Sequence, residues 1–195
     1  MSAVRIGVFG GSFDPIHNGH LVAAESVKNA LNLQRVLFVP AGNQWQKQSN
    51  TTASDRAEMV RLAVAGHPGF QLSTVDVDRQ GPTYTVDTLR DIGNEFPGAQ
   101  LVFILGTDAL AGLASWHNAD DALNLAEFVV VTRPGAPLVI PEVATGRVKV
   151  VEIPALDLSS TQVRRNLESG QTVSDVLPAA VLRYIEDKNL YRDTK

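Results

Sequence analysis

The sequence predicts an α/β fold built on a doubly wound parallel sheet, with a small helical lobe at its C-terminal end. Short apolar runs of about six residues alternate with amphipathic helical patterns along the 195-residue chain. Runs that are apolar nearly throughout are typical of strands buried on both faces, as in parallel sheets. Right-handed crossovers between such strands give the doubly wound topology. The length favours one domain over 1–195, with 159–195 as the helical lobe.

The predicted strands are rich in β-branched and apolar residues. They cover Val4–Phe9, Arg35–Pro40, Phe70–Val75, Gln100–Leu105, Glu127–Thr132 and Val148–Ile153. The predicted helices share apolar residues at helical spacing. They cover Gly19–Leu31, Ser54–Ala65, Val86–Phe96 and Val181–Asn189. Ser54 is expected to cap the second helix, with Asp55 and Glu58 in its first turn. Ligands of doubly wound sheets bind at the carboxyl ends of strands, so functional residues are expected just after each strand.

The composition disfavours several classes of protein. A net charge of −4 and a pI near 5.5 make nucleic acid or an anionic membrane a poor partner. The absence of cysteine excludes disulfides, thiolate nucleophiles and thiolate zinc sites. Apolar stretches stay below the roughly 18 residues of a membrane span, and the N-terminal run is too short for a signal peptide. A soluble cytoplasmic protein that acts on small molecules is therefore expected, with the oligomeric state left open.

The strongest motif, GGSFDPIHNGH, follows the first predicted strand and covers Gly10–His20. Its glycines allow a ligand to approach the backbone closely, and the next helix points its free N–H groups at the same space. His17 and His20 share one face of a helical first turn, where they can donate to phosphate oxygens, especially when protonated. A plain turn with two surface histidines stays open, as does a metal pair without an obvious third ligand. The dinucleotide fingerprint is absent, because the glycines fall at 7, 10 and 11.

A second motif, LSSTQVR, lies far along the chain and covers Leu158–Arg164. The hydroxyls of Ser159, Ser160 and Thr161 fall at a helix start, where they cap the helix and offer donors to an anion. Arg164 follows one turn later and can bind a β- or γ-phosphate through its fork of donors. A routine helix cap with a solvated arginine is the alternative.

Together the two motifs resemble those of the nucleotidyltransferase superfamily that carries a His/Thr-x-Gly-His signature. The second motif departs from the family's Ile-Ser-Ser-Thr-x-x-Arg only at Leu158, and the resemblance runs from Val8 to Arg164. It implies a Rossmann-like nucleotidyltransferase fold. It also implies direct attack of an acceptor phosphate on the α-phosphorus of a nucleoside triphosphate, with pyrophosphate leaving and no covalent intermediate. His17, His20 and Arg164 would be the catalytic residues, acting on charge that develops in phosphoryl transfer.

The resemblance also implies a set of ATP-binding residues. Gly106 and Asp108 would hold the adenosine ribose, and the backbone around Thr132 and Arg133 would border the adenine. The whole set is Gly10, Gly11, Ser12, Phe13, His17, His20, Gly106, Asp108, Arg133, Ser159, Ser160, Thr161 and Arg164. No metal site in the protein is implied, because Mg²⁺ would arrive on the triphosphate, bound by its oxygens and water.

The acceptor side resembles the nicotinate-nucleotide branch of this superfamily in the segments Thr83–Leu89 and Ser115–His117. AMP would pass from ATP to nicotinate mononucleotide, giving nicotinate adenine dinucleotide in NAD synthesis. Trp116 would stack on the pyridine ring. Backbone amides near Thr85 and His117 would receive the ring carboxylate, although relatives often carry tyrosine at position 117.

Lys47 would be a further acceptor-binding residue, in a polar segment over 42–52 that predicts a loop. The rest of this segment departs from the Pro-Pro-His-Lys-like sequence of many relatives. Two other acceptors from the same superfamily stay open, phosphopantetheine and nicotinamide mononucleotide; the phosphopantetheine branch usually has threonine at position 17 and lacks Trp116. Outside the superfamily, a nucleotide-binding regulator without catalysis and a zinc hydrolase are the alternatives.

Overall fold

The computed structural model of the chain describes residues 3–42, 51–154 and 158–192. Six parallel strands form one sheet in the order β3-β2-β1-β4-β5-β6. The strands are β1 (Arg5–Gly11), β2 (Arg35–Pro40), β3 (Phe70–Leu72), β4 (Gln100–Gly106), β5 (Glu127–Thr132) and β6 (Val148–Glu152). The order reverses between β1 and β4, and a crevice opens at such a switch point beyond the carboxyl ends of the strands. The predicted doubly wound parallel sheet is confirmed.

Seven α-helices occur in the described residues. They are α1 (Asn18–Ala30), α2 (Ala53–Val64), α3 (Thr85–Glu95), α4 (Thr107–Ala111), α5 (Ala119–Leu125), α6 (Ser160–Glu168) and α7 (Ala179–Asp187). The four predicted helices are all present, and their bounds move by one or two residues. The predicted cap of α2 was wrong. Thr52 caps the helix, because its side chain accepts the backbone N–H of Asp55, and Ser54 lies inside the first turn.

Two hydrophobic cores lie on opposite faces of the sheet, as the pleat of β4 shows. Leu101, Phe103 and Leu105 face the core under α3, α4 and α5, whereas Val102 and Ile104 face the core under α1 and α2. This alternation follows from the two-residue period of a strand. Helices α6 and α7 pack on the same face of the sheet as α1 and α2, and their apolar residues join that core. The division into a main domain and a C-terminal lobe stays a prediction.

The two outer strands differ from their predicted form. β3 stops at Leu72 rather than Val75, because it pairs with β2 alone and has no second neighbour to prolong the ladder. β6 was predicted to be buried on both faces, yet Lys149 and Val150 are exposed. An edge strand is covered on one side only, and its run of valines does not reveal that position. None of the described helices is long and apolar enough to cross a membrane.

Candidate active site

Two adjoining cavities lie at the carboxyl ends of β1 and β4, where the strand order reverses. The larger cavity encloses about 460 Å³ and the smaller about 240 Å³. Gly10, Gly11, Ser12 and Gly106 line both of them. The two cavities therefore meet at the backbone where β1 and β4 end, so that two ligands bound side by side would touch there.

The two motif histidines lie together on the wall of the larger cavity. His17 is the N-cap of α1 and His20 follows in its first turn. Their rings stack with centroids 3.8 Å apart, and the backbone N–H of His17 donates to Nδ1 of His20 at 3.1 Å. Because Nδ1 of His20 accepts a hydrogen bond, the neutral ring carries its proton on Nε2. His20 is thus fixed as a donor through Nε2.

Both histidines have lowered pKa values, which favour uncharged rings at neutral pH. Burial lowers the pKa of His17 to about 4, and its side chain has a buried Nδ1 without a hydrogen-bond partner among the described residues. Burial, reinforced by neighbouring His17, also lowers the pKa of His20 well below its usual value. Protonation was expected to strengthen these donors, but the lowered pKa values favour neutral rings at neutral pH. A phosphate group beside them would favour the charged form.

The second motif is fastened directly to the β1–α1 loop, residues 12–17. The hydroxyl of Ser160 donates to the carbonyl of Pro15 at 2.9 Å. Arg164 donates through Nη1 to the carbonyl of Asp14 at 2.6 Å and through Nη2 to the hydroxyl of Thr161 at 3.3 Å. Segments about 145 residues apart in sequence are therefore joined at one wall of the larger cavity.

The ATP-binding residues implied by the sequence all lie around this larger cavity. At its far side, Gly106 caps α4 and Asp108 stands exposed in the first turn of that helix. Thr132 ends β5 and Arg133 follows it, and both close the same end of the cavity. Asp108 is not the cap of the helix, because Gly106 takes that place. The structure thus brings together residues from the ends of β1, β4, β5 and the start of α6, while their individual roles stay predictions.

The smaller cavity gathers three of the four predicted acceptor residues, namely Thr85, Trp116 and His117. The rings of Tyr84 and His117 stack with centroids 4.4 Å apart, and the Trp116 ring meets a core phenylalanine edge-on. Thr85 begins α3, so its N–H has no partner within the helix. Lys47, the fourth residue, lies outside the described residues. The cavity thus offers an aromatic wall beside a helix N-terminus.

Comparisons with known proteins identify the family of this chain. Residues 8–166 match the family described as cytidylyltransferase-like. The probable nicotinate-nucleotide adenylyltransferase of Saccharopolyspora erythraea is 48% identical over 190 residues, which is 96% of this chain and 90% of the relative. Its counterpart from Leifsonia xyli subsp. xyli is also 48% identical, over 98% of this chain and 96% of the relative. The chain belongs to the nicotinate-nucleotide adenylyltransferase family. It is therefore an enzyme, a nucleotidyltransferase of NAD biosynthesis.

A solved structure supports the fold of this adenylyltransferase. The Plasmodium falciparum nicotinic acid mononucleotide adenylyltransferase complexed with NaAD superposes with a TM-score of 0.76, covering 96% of this chain and 97% of that one. Because the two chains are only 22% identical, the likeness shows the fold alone. Nothing in the comparisons favours the phosphopantetheine alternative. Among the described residues, no three His, Cys, Asp or Glu side chains are grouped so as to hold a metal ion.

The sequence argument missed Asp76, which lines the smaller cavity of the adenylyltransferase. Its carboxylate is buried, accepts the hydroxyl of Thr88 at 2.7 Å and lies 3.5 Å from Arg79. Burial raises the pKa of Asp76 to about 6, although the Thr88 hydrogen bond and Arg79 oppose the shift. Its backbone oxygen also approaches Gly42 so closely that a Cβ on Gly42 would lie 2.0 Å away. The position of Asp76 between Val75 and Val77 was the available signal.

Arg56 is the second residue that the sequence argument missed. It is only 2% exposed, although it belongs to the amphipathic helix α2. Its guanidinium donates to the carbonyl of Ser12 and to the carbonyl of Gly42, both at 3.0 Å. These carbonyls follow β1 and β2, so Arg56 joins two loops that border the cavities. Its position in an ordinary helical pattern gives no sign of this burial.

Proposed function

We propose that the larger cavity binds ATP and the smaller cavity binds nicotinate mononucleotide, so that AMP passes between them. The products are nicotinate adenine dinucleotide and pyrophosphate. The observation that carries the proposal is the shared border of the two cavities at Gly10, Gly11, Ser12 and Gly106. The acceptor phosphate and the α-phosphate of ATP would meet at that border. The names of the relatives agree in both substrate and reaction.

In this mechanism a phosphate oxygen of the mononucleotide attacks the α-phosphorus of ATP in line. The new P–O bond forms as the bond to the bridging β-phosphate oxygen breaks, and pyrophosphate leaves with the electron pair. Negative charge grows on the leaving group, where Nε2–H of His20 and the N-terminus of α1 are available as donors. His17 and Arg164 lie on the same wall and would hold the β- and γ-phosphates. Positioning and electrostatics then provide the catalysis without a covalent intermediate.

Mg²⁺ enters the site with ATP in this proposal. The larger cavity presents two histidines, Arg133 and Arg164, with Asp108 exposed at the ribose end and the Asp14 carboxylate hydrogen-bonded by Thr51 and Tyr191. Such a donor set suits the phosphates themselves rather than a protein cage for the cation. Mg²⁺ would therefore be bound by triphosphate oxygens and water, where it would neutralise part of their charge. The location that we propose is the cytoplasm, because the reaction needs ATP as the donor substrate.

The smaller cavity would select the acid form of the pyridine nucleotide. The ring stacks on Trp116, and its carboxylate faces the N–H of Thr85 and the backbone near His117. These backbone groups only donate, so they suit an anion with two acceptor oxygens. A carboxamide would present its NH₂ donor to one of them and leave both unpaired, at roughly 1–3 kcal/mol. This difference corresponds to about ten- to a hundredfold in specificity.

The proposal is tested by measuring pyrophosphate release from ATP with three acceptors under identical conditions: nicotinate mononucleotide, nicotinamide mononucleotide and phosphopantetheine. The expected order of kcat/KM is nicotinate over nicotinamide mononucleotide by about ten- to a hundredfold, with no release from phosphopantetheine. A preference for the amide or for phosphopantetheine would overturn the assignment of the smaller cavity. Release without any acceptor would overturn the transfer reaction itself.

A further inference from the structure

Tyr191 connects the end of the described chain to the β1–α1 loop. It lies beyond α7, and its ring is packed in the hydrophobic core with only 8% of its surface exposed. Its hydroxyl donates to Oδ1 of Asp14 at 2.6 Å, across 177 residues of sequence. Tyr191 lines neither cavity. Its one polar atom is therefore directed at the loop rather than at a ligand.

Asp14 is the point at which several segments meet beneath the larger cavity. It is 3% exposed, and its Oδ1 accepts a second hydrogen bond from the hydroxyl of Thr51 at 2.8 Å. Its backbone carbonyl accepts the guanidinium of Arg164. The same residue thus holds Tyr191 with its side chain and the proposed phosphate-binding arginine with its main chain. A displacement of Asp14 would move both the loop and Arg164.

The hydroxyl of Tyr191 stays protonated beside Asp14. Burial and the neighbouring Asp14 carboxylate raise the pKa of Tyr191, so its hydroxyl remains a donor at neutral pH. The guanidinium of Arg56 lies nearby and attracts the Asp14 carboxylate, while its own donors engage the carbonyls of Ser12 and Gly42. If the Tyr191 hydroxyl were removed, a buried charged oxygen would lose one of its donors. We expect the carboxylate to shift towards the nearby guanidinium groups, taking the loop with it.

We propose that Tyr191 is a positioning residue for AMP transfer, which acts through Asp14 to hold the β1–α1 loop and Arg164 in the geometry that receives the triphosphate. The inference rests on the proposed function, because it assigns the larger cavity to ATP. Tyr191 contacts no substrate. Its effect on the reaction comes from alignment, and small misplacements of reacting groups are costly even when the mutation is remote.

The chain provides a matched control for this tyrosine. Tyr184, in α7, donates its hydroxyl to Oδ1 of Asp55 at 2.9 Å. This bond also runs from a tyrosine in the C-terminal part of the chain to an aspartate, but the aspartate lies at the start of α2. Asp55 lines neither cavity. Tyr184→Phe therefore removes a tyrosine-to-aspartate hydrogen bond, here a partly buried one, without touching the β1–α1 loop.

The test compares Tyr191→Phe, Tyr184→Phe and the wild type in steady-state kinetics and in ATP binding by calorimetry. Tyr191→Phe should lower kcat/KM for ATP by roughly ten- to a hundredfold and weaken ATP binding, with KM for nicotinate mononucleotide within about twofold. Tyr184→Phe should keep all of these values within about twofold of the wild type. Equal behaviour of the two variants, or an equal loss towards both substrates, would overturn the inference.

Two further measurements separate alignment from a general loss of structure. In hydrogen exchange, the peptide covering 12–20 should exchange faster in Tyr191→Phe and remain unchanged in Tyr184→Phe. Unchanged exchange there would count against the inference. If Tyr191→Phe does not fold, Thr51→Val removes the hydrogen bond from the Thr51 hydroxyl to Oδ1 of Asp14, and it should weaken ATP binding in the same direction. If the Thr51→Val variant bound ATP as tightly as the wild type does, the inference would be overturned. If the wild-type protein were inactive on ATP and nicotinate mononucleotide, only the proposed function would be contradicted.

Discussion

His17 and His20 form a stacked pair in which one residue fixes the hydrogen-bonding state of the other. Their ring centroids are 3.8 Å apart, and the backbone N–H of His17 donates a hydrogen bond to Nδ1 of His20. Burial keeps both rings uncharged in the free protein. The positive charge that favours a triphosphate would therefore develop when the ligand binds. Before then, the stacked rings carry no mutual charge repulsion.

Replacement of either histidine should remove a donor to the transition state. We expect His17→Ala and His20→Ala each to lower kcat by about 10²-fold or more, as for lost oxyanion donors in other enzymes. His67→Ala is the matched control, because His67 is exposed and lies in the turn after α2, away from both cavities. Steady-state kinetics on the folded variants check the prediction. Near-normal turnover for both cavity variants would refute the catalytic assignment.

The stability of the free protein should fall in acid because of His17. Its pKa is about 4 when folded and near 6.5 when unfolded, so between these values only the unfolded chain takes up the proton. Stability from this group is therefore complete above pH 6.5 and declines as the pH falls towards 4, by roughly 3 kcal/mol. His17→Asn should flatten the curve of unfolding free energy against pH in this window. Parallel curves for wild type and variant would show that His17 does not titrate as described.

Arg164 should serve ATP and leave the mononucleotide nearly unaffected. Its guanidinium lines the larger cavity and is held by the carbonyl of Asp14. Arg164→Ala should weaken ATP binding by about tenfold or more, in line with a lost charge-assisted contact. Arg165→Ala is the control, since its exposed side chain lies on the same helix and lines neither cavity. Calorimetry with each substrate decides, and equal weakening of both substrates by Arg164→Ala would place this arginine elsewhere.

Trp116 should contribute affinity for the acceptor without selecting between acid and amide. An aromatic face holds either pyridine ring about equally well, so Trp116→Ala should raise KM for both mononucleotides and change their ratio little. Discrimination stays with donors such as the N–H of Thr85. The measurement is kcat/KM for each acceptor at saturating ATP. If the variant lost its discrimination while keeping its affinity, the account of the smaller cavity would be wrong.

Gly42 should tolerate no side chain. A Cβ at this position would lie 2.0 Å from the backbone oxygen of Asp76, which borders the smaller cavity. Gly42→Ala should lower the unfolding free energy by about 1–3 kcal/mol and raise KM for the mononucleotide more than for ATP. Gly93→Ala is the control, because Gly93 lies in α3 and a Cβ added there would meet open space. This variant should be slightly more stable than the wild type, since alanine favours a helix over glycine. Thermal unfolding and kinetics with both substrates test the pair; a stable, fully active Gly42→Ala would contradict the close approach.

Local sequence was sufficient for most of the fold. β2 and β5 have the predicted bounds, because continuous β-branched runs between turn residues leave little choice of register. The glycine and histidine spacing after β1 located the wall of the larger cavity, since helix geometry places residues three apart on one face. Family-like motifs then indicated which distant segments would meet. Such local patterns depend only on neighbours within one helical turn or one strand.

Only the tertiary structure decided which strands lie at the edges, where a capping hydroxyl falls and which buried charges meet. The exposure of β6 depends on its place in the strand order, and Thr52 rather than Ser54 caps α2 because its extended backbone lets its hydroxyl accept the N–H of Asp55. The hydrogen bond from Tyr191 to Asp14 joins positions 177 residues apart. No periodicity encodes such a pair, because its geometry arises when α7 and the segment after it pack against the core. The sequence by itself therefore determined most of the strands and helices and indicated the motif residues, while packing decided how the supporting residues hold the site.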